Sequence, residues 1–192
     1  MHYRSETLFD TDLPEEWKNT PVVKFCLIAD EVDISLLNAF PNALIGATIQ
    51  GWLRQWNDKG EISPKQMDWD ILKAVDIVFM SEEDIAGFES VIPTIIENVK
   101  ILVLTKGAKG ATIFFENDSQ DYPAFPVKEV DPTGAGDIFA ASFLVQYHKT
   151  KDIALSAAFA NAAASYIVED FGINIPSVSQ IDTRFNEYLK TF

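Results

Sequence analysis

Val130-Asp131-Pro132-Thr133-Gly134-Ala135-Gly136-Asp137 runs directly into Ile138-Phe139-Ala140-Ala141-Ser142-Phe143-Leu144. An extended segment gives way there to an apolar stretch, and the pattern predicts a helix over Gly136–Lys149. The first N–H groups of a helix lack an intrahelical acceptor, and the aligned peptide dipoles favour an anion beside them. Glycine at Gly134 and Gly136 removes the side chains that would hold such an anion at a distance. Asp137 falls in the first helical turn, so a carboxylate stands next to an anion pocket. A carboxylate repels a stored phosphate. It makes chemical sense there if it accepts the proton of a hydroxyl that attacks phosphorus, since in phosphoryl transfer the protein mainly positions groups and stabilises charge. Taken alone, the same residues also suit a plain helix start, with Asp137 complementing the dipole and the glycines turning the chain.

Outward from this stretch, four runs are apolar on consecutive positions: Val22 to Ala29, Ala43 to Ile49, Asp76 to Met80 and Lys100 to Thr105. Such runs read as strands buried on both faces, as in a parallel sheet covered by helices. Between them, Asp33 to Phe40, Asp68 to Val75, Glu82 to Gly87 and Val91 to Asn98 predict short helices, so strand and helix alternate as in an α/β sandwich. After Thr105 the pattern changes. Ala111 to Phe115 predicts a strand, Asn117-Asp118-Ser119 a turn, and Asp121 to Val127 a returning strand, which adds an antiparallel hairpin. Helices are expected over Gly136–Lys149, Asp152–Glu169 and Val178–Leu189, the middle one rich in alanine for close helix packing.

The chain has 192 residues, 47% of them hydrophobic, which suits one domain with a real core. Lys and Arg number 15 against 29 Asp and Glu, a net charge of -14 that repels nucleic acid and anionic lipid surfaces, so neither is an expected partner. No stretch approaches the ~18 consecutive apolar residues of a membrane span. The first twelve residues lack the apolar core of a secretion signal, and a single cysteine, Cys26, excludes an intrachain disulfide. A cytoplasmic setting is the expectation. The two histidines and one cysteine do not make a zinc site.

The run Asp131 to Phe143 closely resembles the second signature of the PfkB or ribokinase-like carbohydrate kinases. The resemblance implies a ribokinase-like three-layer αβα sandwich, with a mainly parallel central sheet plus an antiparallel hairpin. It implies Asp137 as catalytic base and the amides of Gly134, Ala135 and Gly136 as anion hole for the transferred phosphoryl group. Leu104 to Gly110 resembles the segment that meets the nucleotide phosphates, which brings in Thr105 and Gly107. Lys106 and Lys109 could attract phosphate or simply be solvated. Ala160 to Ala164 resembles the helix bordering the adenine pocket, with Asn161 near the base or satisfying a neighbouring backbone group, and Gly172 to Pro176 resembles the loop closing that pocket. The implied ligands are ATP, Mg²⁺ and a small hydroxylated acceptor, with a monovalent cation as an option at the carbonyls around Asp131 and Thr133.

Two departures from the family pattern stand out. Ser81 and Asp84 occupy the places of an Asn and a Glu associated with Mg²⁺ and phosphate, so Asp84 or its neighbour Glu83 is the candidate metal ligand, with a helix-capping exchange between Ser81 and Asp84 as the alternative. The resemblance also spans only the C-terminal portion of the family fold, from near Tyr3 to Phe9 through to about Pro176, with residues 76–180 as the nucleotide-binding portion. Gln50 to Trp56 resembles a loop of one family branch, in which Trp52, Arg54 and Trp56 are either packing and surface residues or substrate contacts. A sheet truncated at its N-terminal side leaves an edge to be covered by the missing half or by another copy. The expectation is therefore a kinase of sugars or related polyols over residues 1–192. The alternative is a non-catalytic nucleotide-binding fragment, or a half-domain that needs a partner.

Overall fold

A computed structural model describes residues 6–28, 31–57, 62–65, 68–87, 89–172 and 174–190. The segment Tyr3 to Ser5 and position 173 lie outside them. The chain divides into two compact units, Met1–Leu102 and Val103–Phe192.

The first unit holds β1 (Val22–Cys26), α1 (Ser35–Asn38), β2 (Leu44–Thr48), β3 (Arg54–Trp56), β4 (Ile62–Pro64), β5 (Ile77–Ser81) and α2 (Ile92–Asn98). β1, β2 and β5 lie side by side in that order and run parallel, with Val22 opposite Leu44 and Gly46 opposite Ile77. Ile77, Val78, Phe79 and Met80 are all buried, which is why β5 reads as a continuous apolar run and not as an alternating one. Asp76 ties the amino ends of the strands together. Its carboxylate accepts from the Ile45 amide at 3.0 Å and pairs with Lys100 at 2.6 Å, while its carbonyl accepts from the Ile101 amide at 3.2 Å.

β6 (Ile101–Thr105) begins in the first unit and ends in the second, which continues with β7 (Ala111–Phe115), β8 (Asp118–Tyr122), α3 (Ala135–Thr150), α4 (Ile153–Ile167) and α5 (Val178–Leu189). β7 lies next to β6 and pairs antiparallel with β8. Nearly every residue from Ser156 to Ala163 is fully buried, so the alanine-rich face of α4 serves close packing with α3. Phe159, Ala163 and Ile181 form an apolar cluster with Ile138 of α3 and Phe185 of α5, the Phe159 and Phe185 rings meeting edge to face at 5.5 Å.

Four expectations change. The hairpin turns on two residues, Glu116 and Asn117, both at positive φ, so β8 begins at Asp118 and ends at Tyr122, several residues earlier than expected. Asp68 to Val75 forms a six-residue 3-10 helix over Trp69–Ala74, and α1 is an α-helix of only one turn, both shorter than expected. Glu82 to Gly87 is a series of turns: Asp84 and Ala86 bond back three residues, and Gly87 takes φ 82°. The small β3–β4 ribbon, with Arg54 opposite Pro64, was not anticipated.

Candidate functional site

The glycine-rich turn precedes α3 in the second unit. Gly134 is the residue before the helix and takes φ 84°, a left-handed conformation that glycine adopts without steric penalty. A Cβ built on Gly136 meets nothing within 4 Å, so the backbone is open at that point. The Ala135 amide donates to the Pro132 carbonyl at 3.1 Å and closes the turn. The amides of Gly134 and Gly136 have no acceptor among the described residues. Asp137 is exposed one residue beyond, in the first turn of α3. The turn thus presents two unused N–H donors beside an exposed carboxylate.

A second segment holds this turn in place. The Val168 carbonyl, at the end of α4, accepts from the amides of Val130 at 2.7 Å and Asp131 at 3.3 Å. The Asp131 carboxylate spans both segments, accepting from the Thr133 amide at 3.0 Å and from the Gly172 amide at 3.3 Å. Hydrogen bonds from Thr133, and then from Gly172, hold Asp131 below the ordinary carboxylate pKa. The Asp131 carboxylate thus joins the segment of Thr133 to that of Gly172. Beyond Gly172, Ile175 and Val178 are exposed apolar side chains, as is Phe171 before it.

Arg184 of α5 braces the same segment. Its guanidinium donates to Glu169 Oε2 at 2.7 Å and Ser165 Oγ at 2.9 Å, and lies 3.6 Å from the centre of the Tyr166 ring. The sequence reading missed this residue; its signal was an arginine alone on a helix otherwise without basic residues before Lys190.

Thr105 ends β6, and Gly107 starts a 3-10 turn at φ 55° with open space where a side chain would be. Gly110 closes that turn: its carbonyl accepts from the Lys106 amide at 2.7 Å. The Lys106 ammonium is not simply solvated. It lies 3.1 Å from Asp121 on β8, whose carboxylate also accepts from the Thr112 hydroxyl, and these two interactions, Thr112 foremost, lower the Asp121 pKa.

Asn161 is buried in α4, and its amide nitrogen has no hydrogen-bond partner among the described residues. It neighbours Tyr188 of α5, whose hydroxyl donates to the Pro123 carbonyl at 2.5 Å. Burial raises the Tyr188 pKa, and Asn161 opposes that shift.

The residues named for Mg²⁺ lie in the first unit. Asp84 Oδ2 accepts from the Ser81 amide at 3.0 Å, and the Asp84 amide donates back to Ser81 Oγ at 3.1 Å, the reciprocal exchange of a capping box closing a turn. Oδ1 accepts from the Gln50 side-chain amide and faces Arg54 Nη2 at 3.8 Å. Both oxygens are thus engaged by donors and a cation stands beside them, while Glu83 is exposed. Among the described residues no group of three or more His, Cys, Asp or Glu could hold a metal ion. No helix among them is long and apolar enough to cross a membrane.

A family model described as pfkB family carbohydrate kinase matches residues 64–180. Over 143 residues the chain is 31% identical to a nucleoside kinase of Methanocaldococcus jannaschii, an alignment that covers 68% of this chain and 47% of that protein. A crystal structure of nucleoside kinase from the same organism, described as an archaeal member of the ribokinase family, gives a TM-score of 0.71 at 23% identity, covering 90% of this chain and 61% of that one. Arabidopsis thaliana ribokinase complexed with ribose and ATP gives a TM-score of 0.72 at 22% identity, with 94% and 60% covered. The shared fold is ribokinase-like α/β, mainly parallel strands with an antiparallel hairpin. The chain spans about half the length of the first of these relatives, or less for others.

Proposed function

The chain belongs to the pfkB family of carbohydrate kinases, and from that premise we propose that it takes part in transfer of the ATP γ-phosphate to a hydroxyl of a sugar, nucleoside or related small polyol. The observation that carries the reading is the turn before α3, where the Gly134 and Gly136 amides lack acceptors among the described residues and Asp137 stands exposed beside them. In the proposal Asp137 accepts the proton of the attacking hydroxyl. The amides of Gly134 and Gly136, with Ala135 completing the turn, stabilise charge on the transferred phosphoryl group. Thr105, Gly107, Asn161 and Gly172 line the nucleotide site. Mg²⁺ would arrive with the ATP phosphates and lower their charge. A monovalent cation would sit at the carbonyls around Asp131 and Thr133, where the Asp131 carboxylate adds negative charge. Such a kinase works where ATP is abundant, in the cytoplasm.

Asp137→Asn keeps shape and removes the base. Phosphotransfer over a panel of nucleosides, pentoses and hexoses is expected to fall by about 10²–10⁴-fold while ATP binding by calorimetry persists. Undiminished transfer in Asp137→Asn refutes the role given to Asp137.

The partial span of the relatives favours one further reading, a nucleotide-binding portion that turns over only with the rest of the fold or a second copy covering the edge strand β1. ATP binding without transfer to any member of the panel would favour it. Absence of ATP binding would exclude both readings.

A further inference from the structure

A cation is held well out of water in the second unit. The Arg184 side chain of α5 is only 15% exposed, and its Nη1 donates to both Glu169 and Ser165. We propose that Arg184 is a positioning residue of the candidate phosphoryl-transfer site. It clamps the chain entering the glycine turn to the segment leaving α4, and so sets where the Gly134 and Gly136 amides and Asp137 stand.

The first argument is which pieces the side chain joins. Its guanidinium carbon lies 3.6 Å from the Tyr166 ring centre and 5.2 Å from that of Phe125, both within cation–π range. Ser165, Tyr166 and Glu169 belong to the end of α4 and the residues just after it, whereas Phe125 lies between β8 and the glycine turn. These two segments carry the turn. The Val168 carbonyl accepts from the amides of Val130 and Asp131, and the Asp131 carboxylate accepts from the Gly172 amide. Glu169 follows Val168 directly, so the ion pair steadies the acceptor that holds Asp131, and Asp131 leads into Gly134.

The second argument is that α5 has other attachments. Ile181 and Phe185 pack with Phe159 and Ala163, the Tyr188 hydroxyl donates to the Pro123 carbonyl, and the Tyr166 hydroxyl donates to the Gln180 carbonyl at 2.9 Å. Phe125 itself stacks on Tyr188, with ring centres 6.1 Å apart. An ion pair largely removed from water often adds no net stability over apolar side chains of the same shape. What it adds here is direction, because a planar fork bonded to two oxygens and laid on a ring has one orientation. The proposal rests on the kinase reading only for what the turn does; the clamp acts on the turn whether or not phosphate is transferred.

The test is NMR of the full chain, following the Gly134 and Gly136 amides first without ligand and then during titration with ATP and Mg²⁺. Arg184→Lys keeps the charge but not the fork, and it should move both amide signals in the ligand-free chain. Glu169→Gln should move them in the same direction, and the double variant no further, because both act through one contact. Glu187→Gly, at an exposed position of the same helix, loosens α5 and should leave the two signals in place. ATP should saturate the amides at about tenfold higher concentration in Arg184→Lys, and wherever the native chain transfers phosphate kcat should fall by about 10–100-fold with the acceptor KM held. Signals that stay in place in both Arg184→Lys and Glu169→Gln overturn the proposal. Equal movement in Glu187→Gly also overturns it, as does a double variant that shows the sum of the single effects. If ATP moves neither amide in the native chain, the kinase reading falls, and the ligand-free comparison still decides the clamp.

Discussion

Replacing Gly110 by alanine isolates the backbone demand of the turn that follows β6. Gly110 has φ 93° and ψ -130°, a region open essentially to glycine alone, so alanine there costs about 1–3 kcal/mol in local strain. Its new Cβ would lie 2.0 Å from the Tyr122 carbonyl oxygen and under 3 Å from backbone atoms of Pro123 and Ala124. These neighbours are backbone and cannot rotate away, so the end of β8 must move, adding about 1–3 kcal/mol of overpacking. The sum, about 2–6 kcal/mol, is a large part of the 5–15 kcal/mol that holds a typical domain folded. Gly107→Ala is the control: it also has positive φ, 55°, but its Cβ meets nothing within 4 Å, so its cost stays near 1 kcal/mol. Thermal unfolding followed by circular dichroism compares the two. Gly110→Ala should lower the melting temperature by roughly 10 °C and Gly107→Ala by roughly 3 °C. Equal losses would refute the claim that the approach to Tyr122 dictates glycine.

Two further outcomes follow from the second unit. The depressed pKa of Asp131 means that its bonds to Thr133 and Gly172 are fully present above the ordinary carboxylate pKa and are lost as pH falls through the lower folded value. Exchange of the Gly172 amide should therefore accelerate selectively in acid, and Asp131→Asn should remove that pH dependence; an unchanged profile would contradict the staple. Arg184→Ala removes the pair with Glu169, the bond to Ser165 and the stacking on Tyr166, and should cost about 2–3 kcal/mol in urea unfolding. Arg184→Lys should recover less than half of it, because an ammonium lacks the planar fork; full recovery would show that charge alone matters.

The parallel strands were legible because burial on both faces writes itself as unbroken apolar runs, as in Ile77 to Met80. The three long helices were legible as long stretches after the hairpin, the middle one by its alanines; the capping box of Ser177 and Gln180 before α5 was not read. What escaped was set by tertiary bonding. Nothing local distinguishes the turns after Ser81 from a short helix until Asp84 is seen bonded to Gln50, thirty-four residues away. The hairpin boundary escaped because Glu116 takes a positive φ that its residue type does not advertise. At the candidate site, the glycines and Asp137 were readable from spacing along one segment. The partners that fix them were not, since the Val168 carbonyl and Arg184 come from elements far along the chain, and a carbonyl has no sequence signature at all.

The alanine face of α4 has a mechanical consequence for the turn it faces through α3. Long side chains can bend to absorb a displacement, but methyl groups cannot, so two helices in contact through alanines behave as a rail and its carriage with no play. A methylene added at Ala163, fully buried and clustered with Ile138 of α3, has no slack to consume locally and must push on α3. The end of that carriage is Gly134 to Asp137. The placement of the exposed carboxylate is thus gauged by residues that have no polar chemistry of their own.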